Sequence, residues 1–156
     1  MSMFTQFETD KSLEESGVWL DYGEYRVLVA HAGGANKKYL SYAEAKTKPF
    51  RRLIQNGQME VKKSEELLHD IFATAIVKDW EIAETDKDGG IIEDKDGLTK
   101  WKKGIHKKGG GTLEPTKANV MLTFKLLPKL FFDIQQAAEG IALFRVEDME
   151  DDSKNL

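Results

Sequence analysis

Three histidines are the first candidates for metal binding or proton transfer in this chain. His31, His69 and His106 lie far apart in the sequence, and no two of them have the spacing of a zinc site. The chain contains no cysteine, which excludes disulfides, thiolate metal ligands and cysteine nucleophiles and is typical of a reducing compartment. We therefore expect no bound metal ion.

Two acidic segments have part of the pattern of a calcium-binding loop. Residues 86–88 and residues 94–97 each place two aspartates two positions apart. An EF-hand also needs a third oxygen ligand at position five, glycine at position six and glutamate at position twelve. Neither segment has that order, so solvated turns are the simpler interpretation.

No motif of the chain indicates catalysis or a phosphate-bearing cofactor. The diglycine at residues 33–34 and the glycine triplet at residues 109–111 do not match a phosphate-binding loop. No serine lies in a G-x-S-x-G motif. Adjacent acids such as Glu65 and Glu66 would point about 100° apart on a helix and could not form a local catalytic pair. We predict that the protein is not an enzyme and has no catalytic residues and no cofactor.

The most distinctive charged segment is residues 100–108, in which five lysines surround a tryptophan. Cations beside an indole ring are what single-stranded nucleic acids bind, although most lysine runs are solvated surfaces. The net charge of −4 argues against a nucleic-acid-binding domain. The lysines could instead contact an acidic protein segment, including residues 147–152 of a neighbouring copy. The candidate partner-binding residues here are Trp101, Lys102, Lys103, Lys107 and Lys108.

The elements that would position these residues begin with a strand pair. Residues 18–29 alternate apolar and polar side chains with period two, and Gly23 lies where a short turn needs a positive φ. After the diglycine, Asn36 is positioned to cap a helix that Pro49 interrupts and that stops at Gly57. A strand pair therefore precedes the helices.

The second half of the chain is mainly helical by its apolar spacing. A stripe that includes Phe72 and Trp80 predicts one long helix over residues 60–83. Residues 86–111 contain many glycines and are interpreted as a mobile loop or a hairpin insertion. Thr116 should cap the next helix, whose apolar stripe is Val120, Met121, Phe124 and Leu127, and Pro128 should begin the last one.

Two adjacent phenylalanines in the last helix cannot share one face. Phe131 and Phe132 would point about 100° apart, so both are buried only if the helix is covered on two sides. We expect Phe131 to pack in the core against the helix predicted over residues 60–83. Phe132 is then a candidate contact with another chain.

Length and composition indicate one domain. The chain has 156 residues, of which 40% are hydrophobic and 32% charged. No apolar run is long enough to cross a membrane, and residues 1–14 lack the pattern of a signal peptide, so we expect a cytoplasmic protein with a flexible leader there. Residues 147–156 are predicted to be an acidic disordered tail. The fold class expected is α+β, with a small N-terminal antiparallel β-hairpin packed on four to five helices.

The words SGVWLDYGEYRV at residues 16–27, AGGANKKY at residues 32–39 and AKTKPFRRLIQNG at residues 45–57 resemble the tail assembly chaperones of long-tailed bacteriophages and prophages. The resemblance implies a protein that binds the tape measure protein and self-associates as a homo-oligomer until tail tube protein displaces it. It further implies residence in the cytoplasm of the bacterial host and absence from the mature virion. The alternative is a small nucleic-acid-binding protein that uses residues 100–108.

Members of that family are often made in two lengths by ribosomal slippage near the end of the gene. Ser153, Lys154 and Asn155 can be encoded UCA AAA AAC, which contains a slippery heptamer. A programmed frameshift is therefore a hypothesis that the codons of the gene would test. AGC or UCC for Ser153, or AAG for Lys154, would remove the heptamer.

Overall fold

A computed structural model describes residues 2–146, in which a four-stranded antiparallel sheet packs on helices. The strands pair in the order β1-β2-β3-β4. A separate two-stranded ribbon, β5 with β6, follows the sheet along the chain. The strands are β1 (Val18–Asp21), β2 (Tyr25–Val29), β3 (Val77–Ala83), β4 (Trp101–Lys103), β5 (Ile105–His106) and β6 (Thr112–Leu113).

Along the sequence, helices precede the first strand, separate β2 from β3 and follow the last strand. Four of them have ten or more residues, and two 3-10 turns occur at Lys48–Phe50 and Ala142–Phe144. The α+β class with an N-terminal hairpin is confirmed, and the hairpin is one half of the larger sheet. The helices are α1 (Met3–Phe7), α2 (Lys11–Ser16), α3 (Lys37–Thr47), α4 (Arg51–Gln55), α5 (Val61–Ala75), α6 (Lys117–Leu126) and α7 (Pro128–Glu139).

Local signals placed several element ends correctly. The side chain of Asn36 accepts a hydrogen bond from the amide of Tyr39 and caps α3. Thr116 caps α6 in the same way, through the amide of Asn119. Pro128 is the first residue of α7, where its missing N–H costs no helical hydrogen bond.

The long helix predicted over residues 60–83 is wrong after Ala75. The helix α5 ends at Ala75, and residues 77–83 form β3 between β2 and β4. Val29 pairs with Val77 whereas Leu28 pairs with Asp79, so a bulge inserts one extra residue into β3. The bulge puts Val77 and Trp80, three positions apart, on the buried side. Three is also a helical spacing, which is why the pattern was misleading.

One hydrophobic core joins the sheet to α5, α6 and α7. Trp80 of β3, Phe72 of α5 and Phe124 of α6 are almost completely buried. Phe131 of α7 lies with its ring centroid 5.4 Å from that of Phe72, so its predicted packing against the preceding long helix is confirmed. Leu127, which was expected in the same stripe as Phe124, is instead half exposed because α6 ends at Leu126.

Two of the three segments that were predicted to be irregular contain helices or strands. Within residues 1–14, the leader contains α1 and the start of α2, and Glu14 is buried. Residues 86–111 contain two isolated bridges, β4, β5 and the turn that leads to β6. The acidic tail at residues 147–156 lies outside the described residues. No helix within residues 2–146 has both the length and the apolar character needed to cross a membrane.

Candidate functional site

An apolar groove lies between the β5–β6 ribbon and α6. Its volume is about 600 Å³. Apolar side chains from β6, from α6 and from the residue that follows α6 form much of its wall, and basic side chains of the ribbon form one edge. We call this feature the leucine groove; its lining residues are His106, Lys107, Lys108, Leu113, Asn119, Leu122, Thr123, Leu126 and Leu127.

The basic edge of the leucine groove is held by a tight turn. The amide of Lys107 donates to the carbonyl of Gly111, and the amide of Gly110 donates to the carbonyl of Lys107. Gly110 has φ +111°, a conformation that a side chain would strain. The turn leaves Lys107 and Lys108 exposed to solvent. The ribbon therefore presents two adjacent cations beside the apolar wall.

The α6 wall of the groove carries leucines that remain largely in solvent. Leu122, Leu126 and Leu127 are 46%, 56% and 52% exposed. The opposite side of α6 is in the core, where Val120 and Phe124 are buried. When a helix is apolar on two sides, either other parts of the assembly cover both sides or the second side is a binding surface.

An ion-pair cluster anchors the first turn of α6. The Nζ atom of Lys117 lies 2.7 Å from Oδ1 of Asp70 on α5, and Tyr42 of α3 donates its hydroxyl to the same oxygen over 2.7 Å. The Nζ atom of Lys46 lies 3.4 Å from Oδ2. Burial alone would raise the pKa of Asp70, but the hydrogen bonds from Lys117 and Tyr42 and the two lysine charges outweigh it and lower the pKa to about 2. The cluster ties α6 to α5 and α3.

The lysine-rich segment is divided between two places. Lys107 and Lys108 line the leucine groove, whereas Trp101, Lys102 and Lys103 belong to β4. Lys102 is exposed, and the Nζ atom of Lys103 lies 3.4 Å from Oδ2 of Asp79 on β3. The structure therefore does not bring the five candidate residues into one cluster.

Trp101 is already stacked against a cation of its own chain. The guanidinium of Arg26 lies 4.6 Å from the centroid of the Trp101 ring and 4.1 Å from that of Trp19. Nε of Arg26 also donates to Glu81 over 2.8 Å. One face of the Trp101 ring is thus occupied, and the sequence alone did not indicate the role of Arg26.

Phe132 is exposed, as the spacing argument predicted. It is 57% exposed on α7, while its neighbour Phe131 is 7% exposed. It is not among the residues that line the leucine groove. Its role as a partner contact stays a prediction.

The histidines lie in three separate surroundings. His31 is buried beside Glu14, His69 packs on Phe124 and Phe131, and His106 lies at the leucine groove. Burial lowers the pKa of His69. Among residues 2–146, no cluster of three or more histidine, aspartate or glutamate side chains could hold a metal ion.

Sequence reasoning missed the groove leucines, although a signal was present. Leu122 and Leu126 are four positions apart and form a second apolar stripe, away from the stripe of Val120 and Phe124. Two stripes on one short helix indicate two covered faces. The β5–β6 ribbon, which forms the other side of the groove, was not visible from local patterns.

A protein-family model matches most of the chain. The model of the family described as YdaY prophage protein matches residues 34–155. No match was found among curated proteins or among solved structures. The matched region includes the leucine groove, the Asp70 cluster and the acidic residues after Val146.

Proposed function

The chain belongs to the YdaY prophage protein family, and on this basis we propose that it is a non-catalytic tail assembly chaperone that binds the tape measure protein and self-associates. Family membership supports the coarser statement, that this is a prophage protein. The words at residues 16–27, 32–39 and 45–57 support the finer one, because they resemble tail assembly chaperones.

The observation that carries the proposal is the leucine groove. A chaperone of this kind needs an exposed apolar surface that accepts apolar stripes of a long helical client. Leu122 and Leu126 are spaced by one helical turn and flank a depression of about 600 Å³. Such a surface suits an apolar helix face laid along α6.

The energetics suit reversible binding. Leu122, Leu126 and Leu127 are each about half exposed, so covering one of them contributes on the order of 1 kcal/mol. One groove is therefore a weak site for one client segment. Many copies along one client would bind strongly together, and tail tube protein could still displace them one contact at a time.

Location and processing follow from the same proposal. The protein acts in the cytoplasm of the bacterial host and leaves before the virion is complete. A frameshifted longer product would recruit the tail tube protein, and the codons for residues 153–155 test that part directly. Phe132 is a second apolar contact in this proposal, separate from the groove.

The direct test is co-expression with the tape measure protein encoded in the same prophage. We expect the tape measure protein to become soluble and to copurify with the chaperone at more than one copy per client. The control is expression of the tape measure protein alone. A client that stays insoluble, or a soluble client that elutes without the chaperone, would rule out the function proposed.

The alternative is nucleic-acid binding through residues 100–108. The exposed lysines Lys102, Lys107 and Lys108 favour it, whereas the stacking of Trp101 on Arg26 reduces the ring surface open to a base. Salt-sensitive DNA binding that is lost when Lys102, Lys103, Lys107 and Lys108 are replaced by alanine would support this alternative.

A further inference from the structure

We infer that the leucine groove binds residues 147–152 of a second copy of this chain. Five of these six residues are acidic, and Met149 is the one apolar side chain among them. The groove has the complementary chemistry, since its lining includes Lys107 and Lys108 and contains no carboxylate. This contact deepens the proposed self-association and rests on it.

The segment has one apolar residue between acidic residues, which suits a groove with an apolar wall and a basic edge. Met149 has two acids on each side, Glu147 and Asp148 before it and Glu150 and Asp151 after it. A flexible methionine fits an irregular apolar wall such as that of Leu122 and the other groove leucines. The acids then lie at the edge, where the two lysines of the ribbon are exposed.

The groove and the exit of the segment are at opposite ends of β2. At one end, the ring centroid of His106, which lines the groove, lies 5.9 Å from that of Tyr25. At the other end, the ring centroid of Phe144 lies 4.8 Å from that of His31. The strand β2 alone separates these two places by about 13 Å.

This separation favours a second copy over the same one. Met149 follows Val146 by three residues and can reach at most about 11 Å from it. This reach is shorter than β2 itself, so the geometry favours the groove of another copy over that of the same copy. Between copies no such limit applies, and since the two surfaces differ, the contact is either reciprocal within a two-fold dimer or head to tail.

A head-to-tail contact repeats from copy to copy. Each copy contributes one groove and one acidic segment, so a head-to-tail contact generates a ring or a filament, whereas reciprocal insertion closes a dimer. A client segment and the acidic segment compete for one groove. When the acidic segment of a neighbouring copy leaves the groove, the groove becomes open to a client segment.

The experiment is a charge exchange measured by sedimentation velocity of the full chain. The groove variant carries Lys107→Glu and Lys108→Glu, and the segment variant carries Asp148→Lys and Glu150→Lys. The exchange variant carries all four changes and keeps the net charge of −4, since two charges of each sign are reversed. The control variant, Lys37→Glu with Lys38→Glu, makes the same charge change on exposed lysines of α3.

We expect the groove variant and the segment variant each to self-associate at least tenfold more weakly than the wild type. The exchange variant should recover wild-type association, and the control should match the wild type. Raising the salt from about 50 mM to about 500 mM should weaken wild-type association, because the pairs at the groove edge are exposed. Circular dichroism checks that every variant is folded.

Three results would overturn the inference. They are a wild-type chain that stays monomeric at the highest concentration, a groove variant that associates as well as the control, and an exchange variant that does not recover. The client is absent from this experiment. Failure of the tape measure protein to copurify would therefore count against the proposed function. It would not change the self-association constants measured by sedimentation.

Discussion

The diglycine turn lies directly against a buried carboxylate: a Cβ atom on Gly34 would overlap Oε2 of Glu14. Glu14 cannot easily move, because Thr9 donates its hydroxyl to Oε1 over 3.1 Å and Nε2 of His31 lies 3.5 Å from Oε2. Asn36 completes the arrangement by donating its side-chain amide to the carbonyl of His31. Gly34 thus allows α2 and the end of β2 to pack closely.

Replacing Gly34 by alanine should therefore be costly. At φ +53° an alanine is strained by about 1 kcal/mol, and the contact with Glu14 should raise the total loss to about 3 kcal/mol. Gly57→Ala is the matched control, since Gly57 has φ +65° and nothing within 4 Å of its Cβ position. Urea denaturation gives the free energies of unfolding. If Gly34→Ala costs as much in a Glu14→Ala background as in the wild type, the steric explanation is wrong.

The Asp70 cluster should make stability depend on acid pH. The pKa of Asp70 is near 2 in the folded protein and about 3.9 in the unfolded chain. Between these two pH values the unfolded state therefore binds more protons than the folded state. The contribution is complete above about pH 5 and is lost as the pH falls towards 2. We expect about 1 kcal/mol, since Lys46 and Lys117 are half exposed and solvent screens them.

The measurement is the free energy of unfolding at pH 6 and at about pH 3 for the wild type and for Asp70→Asn. The difference between the two pH values should shrink in the variant. Asp88→Asn, in an exposed turn, is the control for loss of one carboxylate. An unchanged pH dependence in Asp70→Asn would contradict the assignment.

Replacing Phe131 by alanine should destabilise the protein strongly, whereas replacing Phe132 should have little effect on stability. Phe131→Ala removes a ring that packs on Phe72, Phe124 and His69, and should cost about 3 to 5 kcal/mol. Phe132→Ala should change the free energy of unfolding by less than about 0.5 kcal/mol, because the side chain is 57% exposed. Thermal denaturation distinguishes the two. Equal losses would mean that Phe132 is covered.

The leucine groove should matter for client binding and not for folding. Leu126→Asp removes a half-buried leucine and places a carboxylate at the C-terminal end of α6, so the free energy of unfolding should fall by about 1 to 2 kcal/mol, which leaves the protein folded. Capture of the tape measure protein should fall at least tenfold, since a leucine contact is lost and a carboxylate must be desolvated. Leu98→Asp, at a 64% exposed leucine outside the groove, is the matched control. Equal capture by both variants would exclude the groove as the client site.

Local patterns were sufficient where the deciding interactions span only a few residues. The turn at Gly23, the Asn36 and Thr116 caps and the start of α7 at Pro128 depend on φ preferences and on hydrogen bonds over two to three residues. The divergence of Phe131 and Phe132 follows from helical geometry alone. These features were predictable from the sequence.

The strand β3 was not predictable in the same way. Its apolar spacing continues the stripe of α5, and the bulge opposite Leu28 and Val29 hides its period of two. Only pairing with β2, about fifty residues earlier, decides that residues 77–83 are extended. That pairing is a long-range interaction, in which the strands satisfy each other's backbone hydrogen bonds.

The sequence by itself determined the α+β class, the N-terminal hairpin and the helix caps. The tertiary structure alone decided that the β5–β6 ribbon meets the second stripe, that Lys107 and Lys108 separate from Trp101, and that Arg26 stacks on that ring. The physical reason is range. Dihedral preferences and capping act between near neighbours, whereas a groove exists only after distant segments have packed against each other.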